Sequence, residues 1–134
     1  MLFRRCSAFH ESGHALVGLA KGALVTSIWL DEGGGHISYR LLPYVAAADA
    51  VICMAGPLAQ CRFDFQSEVG KSDFQKLAEI CDQHGADSDA MWDRYRAEAQ
   101  HLVDVNWCSI VVVAAALERR GRLSGAEIAA IAQS

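Results

Sequence analysis

Two histidines four residues apart, the first followed at once by a glutamate, constrain this chain more than any other feature: His10-Glu11-Ser12-Gly13-His14. In a helix, positions i and i+4 share a face about one turn apart, so both imidazoles can reach one metal ion. Glu11 then stands beside them, placed to act on a water at that metal. The pattern therefore predicts a helix over residues 7–21, with Ser7 as its N-cap and Gly22 as its C-terminal stop. Gly13 and Gly18 are poor helix formers, but a glycine on a helix also lets another element approach closely.

A catalytic zinc takes three protein ligands and keeps a fourth position for water. His10 and His14 supply two. The candidates for the third are His36, His84, His101 and the carboxylates. Position favours Asp73, which follows a loop over residues 64–70 and falls in the first turn of a helix capped by Ser72 and Gln75. A carboxylate ligand also lowers the net charge of a hydrolytic zinc site.

The remaining segments read as short elements around that helix. Residues 25–30 are rich in β-formers and predict a strand, followed by a glycine-rich turn and a second strand over residues 36–40. The first strand, if it lies at a sheet edge, could hold an extended peptide by strand addition. Tyr39 is a candidate to assist an oxyanion. Pro43 suits the first turn of a second helix, nearly all apolar over residues 44–54 and expected at the centre of the core. Gly56-Pro57 should kink or end it, with another turn or two over residues 58–63. A third helix is expected from Ser72 to before Gly85. A fourth runs from Ser88 to Arg120 with a bend near Asn106. Gly121 ends it, and Ser124 with Glu127 forms a capping box for a last helix reaching about Ala132.

The chain has 134 residues, the size of one domain spanning 1–134, with 52% hydrophobic and 21% charged residues. Its formal charge of −4 offers no basic stripe for nucleic acid. Five cysteines, an odd number without a C-x-x-C pair, argue against both a disulfide framework and a cysteine-based zinc finger. The N-terminal residues lack the apolar region of a signal peptide, and the apolar run over residues 110–117 is too short to cross a bilayer. A cytoplasmic protein without a membrane segment is the expectation.

The segment from Phe9 to Gly18 resembles the zinc-binding segment of the peptidase domain of FtsH-type ATP-dependent metalloproteases. The likeness continues in chain order. Residues 35–43 resemble that family's strand ending in Leu-Pro, and residues 51–60 its central apolar helix. Val69-Gly70-Lys71-Ser72-Asp73-Phe74 is similar to the segment that carries its third ligand, an aspartate. Residues 117–131 are similar to its C-terminal pattern. The resemblance implies zinc held by His10, His14 and Asp73, with Glu11 as catalytic base. There are departures. The ATP-driven module and membrane helices of the full-length relatives have no counterpart in these residues. In addition, Ala55-Gly56-Pro57-Leu58-Ala59-Gln60-Cys61 stands where the family has Gly-Gly-Arg-Ala-Ala-Glu-Glu, so both acidic positions are lost.

These readings converge on a mainly α domain with a small β-hairpin, an α+β helical zinc-peptidase domain of the FtsH type. The expected activity is a zinc-dependent endopeptidase acting on unfolded or flexible polypeptide segments, working as a homo-oligomer or with a separate ATPase partner. The alternative is a peptidase-like domain that keeps the metal but serves as a non-catalytic binding or assembly module.

Overall fold

The computed structural model describes residues 2–66, 75, 79 and 88–133. It is mainly helical with a small antiparallel sheet. Helix α1 (Leu2–Ala20) leads into strands β1 (Leu24–Asp31) and β2 (Gly34–Arg40), then helix α2 (Ala46–Phe63). After the undescribed segment come α3 (Ser88–Val105), α4 (Trp107–Arg120), β3 (Arg122–Ser124) and α5 (Gly125–Gln133). The expected third helix, with Asp73, His84 and Cys81, lies outside the described residues apart from Gln75 and Glu79, both helical and exposed.

α1 starts at Leu2, so Ser7 lies inside the helix and does not cap it. The reason is tertiary. The Arg4 guanidinium donates to the Glu118 carbonyl at 3.1 and 3.3 Å, and Arg5 pairs with the Glu118 carboxylate at 3.2 Å. These contacts hold the first turn against the end of α4. The other end stops as the sequence predicts. Gly22 adopts φ 83°, and the Ala23 and Gly22 amides donate back to the Gly18 and Leu19 carbonyls at 2.8 and 3.1 Å. This is a Schellman closure, for which a left-handed glycine is suited.

The central element of the sheet is β1, in the order β2-β1-β3. This corrects the expectation that residues 25–30 form an edge open to a peptide. Residues 122–124, of which the sequence marks only Ser124 as part of a capping box, form β3, which pairs Ile28 with Leu123 and closes that side. β2 holds the other edge, with Ile28 opposite Ile37 and Trp29 opposite His36. The capping box at the start of α5 is present: the Ser124 amide donates to the Glu127 carboxylate at 3.0 Å, and the Glu127 amide to Ser124 Oγ at 3.1 Å.

α2 begins at Ala46, three residues after Pro43, with Val45 still extended. Gly56-Pro57 does not end it. Pro57 sits inside a helix that continues to Phe63. A proline there removes one backbone hydrogen bond and costs about 3 kcal/mol in an exposed helix. Burial of α2 from Ala48 to Pro57 on the core outweighs that cost. The bend near Asn106 is a true break, turning the chain by 75° between α3 and α4. The Asn106 side chain donates to the Leu102 carbonyl at 2.9 Å and finishes α3. No single helix among the described residues is long and apolar enough to cross a membrane.

Candidate metal centre

α1 and α2 cross at very short range because small residues meet. A Cβ on Gly13 would stand 2.5 Å from Ala59 Cβ and 2.7 Å from the Ala55 carbonyl oxygen. Only glycine fits there without a shift of backbone. Phe9 fixes the rotation of α1 about its axis. Its ring stacks on Phe63 at 4.2 Å and faces Trp107 at 5.4 Å. His10, Glu11 and His14 are thereby turned toward α2 and β2.

The two imidazoles lie edge to face, with centroids 4.8 Å apart. His14 is buried, and its Nδ1 lies 2.7 Å from the Ile52 carbonyl oxygen. A carbonyl can only accept, so Nδ1 carries the proton and Nε2 keeps its lone pair. The ring lies against the backbone of α2, where a Cβ on Gly56 would come within 2.3 Å of Nε2. His10 is partly buried, with Nδ1 2.7 Å from Gln60 Oε1. An imidazole that holds a metal commonly gives its other ring N–H to a protein oxygen, which orients it and raises its strength as a ligand. Both rings have such an oxygen, so the pair fits a zinc ion.

Glu11 is 6% exposed. Its side chain packs under β2, and a Cβ on Gly35 would meet its Oε2 and Cγ at 2.6 Å. Among the described residues no group donates a hydrogen bond to the Glu11 carboxylate. A carboxylate held in place by packing, with its oxygens uncommitted, is suited to take a proton. Beside it, Ser12 Oγ is fully buried and has no hydrogen-bond partner among the described residues.

The described residues contain no cluster of three or more His, Cys, Asp and Glu side chains able to hold a metal. Asp73, the sequence candidate for the third ligand, lies outside them. His36 is engaged elsewhere. It stacks on Trp29 at 5.3 Å and pairs with Asp31 at 2.8 Å, which holds the Asp31 carboxyl below its ordinary range. His101 is exposed on α3.

Tyr39, the sequence candidate to assist an oxyanion, is engaged elsewhere in the structure. Its hydroxyl donates to Asp49 in the first turn of α2, as does the Tyr44 hydroxyl at 2.8 Å. Burial first, then the Cys53 thiol and Asp49, push the Tyr39 phenol well above its usual range. Burial first, then the Asp49 hydrogen bond, push Tyr44 up to about 12. Both stay protonated donors and tie β2 and the following loop to α2.

A cavity of about 680 Å³ follows β2 beyond Gly35, lined by Ile37 to Leu42 with Trp29, Tyr44 and Asp49. Its lining runs along β2 and the loop after it, and reaches Trp29 of β1 and Asp49 of α2. Neither histidine nor Glu11 borders it.

Sequence reasoning identified the two histidines and the glutamate but not the α2 groups behind them. Gln60 could have been found as the polar residue ending an apolar stretch over residues 51–59. The Ile52 carbonyl carries no side-chain signal at all. No model of a known protein family matches this chain, and comparison with curated proteins finds no match.

Proposed function

We propose that this chain is a zinc-dependent endopeptidase that hydrolyses peptide bonds in unfolded or flexible protein segments. One observation carries the proposal: His10 and His14 stand side by side, each with Nδ1 against an oxygen of α2, while Glu11 between them has an uncommitted carboxylate. His10 and His14 would hold the ion through Nε2, with Asp73 as the proposed third ligand. When bound, zinc supplies a Lewis acid that makes a water more acidic and polarises the scissile carbonyl. Glu11 takes the proton from the attacking water and returns it to the leaving amine. Burial of Glu11 under β2 limits its rotamers, so the carboxylate is aimed before substrate arrives.

The substrate is proposed to lie extended along the outer edge of β2. Among the described residues that edge has no paired strand, and it borders the 680 Å³ cavity. Main-chain pairing there accepts many sequences, which suits a protease of unfolded segments.

Zinc content after dialysis, measured for the wild type, His14→Ala and Asp73→Ala, tests the centre. Stoichiometric zinc in the wild type and depletion in both variants is the expected result. A wild type that holds no zinc after loading sinks the proposal. Unchanged zinc in Asp73→Ala removes Asp73 from the ligand set.

A further inference from the structure

Gln60 is only 8% exposed, so a primary amide is carried into the core on a helix that is apolar over residues 51–59. A buried amide is held by hydrogen bonds, and the His10 ring supplies one at 2.7 Å. An amide can offer a ring nitrogen either its oxygen or its N–H. The two choices have opposite consequences for the imidazole. If the amide N–H faced Nδ1, that nitrogen would accept and the ring proton would sit on Nε2, which could then bind no cation. With Oε1 facing Nδ1, the proton stays on Nδ1 and the Nε2 lone pair is kept. His14 is put in the same state by the Ile52 carbonyl, which has no alternative.

We propose that Gln60 is a positioning residue of the metal centre: its side-chain oxygen holds His10 as the Nδ1–H tautomer and so turns two neighbouring imidazoles into a matched pair of ligands. Use of that pair for zinc rests on the peptidase reading. The tautomer does not, because it is a property of the metal-free chain. One imidazole is set by the backbone and the other by a side chain, so only His10 can be unset by a single substitution.

Nitrogen NMR of histidine-labelled, metal-free protein reads the tautomer, and competition with a chelator reads zinc affinity. Both are measured for the wild type, Gln60→Leu and Gln60→Glu. The wild type shows His10 protonated at Nδ1. Gln60→Leu loses that preference and weakens zinc by roughly 10–100-fold, the usual effect of losing a partner behind a ligand. Gln60→Glu, whose carboxylate accepts only, keeps the tautomer and binds zinc at least as tightly as the wild type. Should Gln60→Leu fail to fold, Gln60→Asn replaces it. Its shorter amide falls short of the ring, and the same losses are expected.

A wild-type His10 protonated at Nε2 overturns the proposal. So does a Gln60→Leu protein with unchanged tautomer and unchanged zinc affinity. If the wild type binds no zinc, the peptidase reading fails, and the tautomer comparison alone still decides the role of Gln60.

Discussion

Glu11 and Gly35 are in such close contact that the strand has no room for a side chain there: a Cβ on Gly35 would lie 2.6 Å from Glu11 Oε2. The Glu11 carboxylate is held by the glycine of β2, at the strand end of a turn that the sequence marks only as flexible. Gly35→Ala should therefore push Glu11 aside while leaving the two imidazoles of α1, which rest against α2, undisturbed. Zinc content is expected to stay at the wild-type level while kcat falls by about 100-fold, the scale of a misplacement near 1 Å. Parallel metal analysis and steady-state kinetics check this. Equal kcat in the two proteins would remove the positioning role of Gly35.

Gly56 makes a different demand. Its missing side chain is the space that the His14 ring fills, with Nε2 2.3 Å from where a Cβ would stand. Alanine is the better helix former by about 1 kcal/mol, so local propensity predicts that Gly56→Ala stabilises the chain. Overpacking at a buried contact costs about 1–3 kcal/mol and displaces the ring. The net expectation is lower stability in urea and weaker zinc binding. A stabilised variant with normal zinc affinity would show that the ring yields without cost.

The Tyr39–Asp49–Tyr44 cluster predicts an alkaline limb of stability. In the unfolded chain phenols ionise near ~10. In the folded chain Tyr44 holds its proton up to about 12, and Tyr39 is raised as well, burial being the first cause in both. The folded state thus binds more protons than the unfolded state above pH ~10, and stability contributed below that pH is lost as pH rises through the folded values. Melting temperature should fall between pH ~10 and 12. In Tyr44→Phe the fall should be shallower. Identical limbs in both proteins would contradict the assignment.

Much of this architecture is legible in the sequence because it is local. The H-E-x-x-H spacing puts His10 and His14 on one helix face with Glu11 beside them. Gly22 and Gly121 marked helix ends, and each takes a left-handed φ. The Ser124–Glu127 capping box is present as read. The errors are nonlocal. Ser7 looked like a cap because nothing in the sequence announces that Arg4 and Arg5 reach Glu118, more than a hundred residues away. That residues 25–30 are flanked on both sides is hidden in the sequence because Arg122 to Ser124 is too short to read as a strand. Gly56-Pro57 reads as a kink or an end, and the helix nevertheless continues through it because burial, which overrides the local cost, is set by the whole fold. At the site, the sequence supplied the candidate groups, His10, Glu11 and His14. It did not supply the Ile52 carbonyl, Gln60 and Gly56, whose roles depend on the closeness of α1 and α2.

The central claim is that Glu11 moves the proton in peptide hydrolysis at a zinc held by its neighbours. The most direct test compares the wild type with Glu11→Gln, both zinc-loaded, for cleavage of casein, with zinc content measured on the same samples. Both proteins are expected to hold zinc, and Glu11→Gln to cleave more slowly than the wild type by about 10²–10⁴-fold. Cleavage by Glu11→Gln at the wild-type rate, or a zinc-loaded wild type that cleaves nothing and acts only as a binding module, would contradict it.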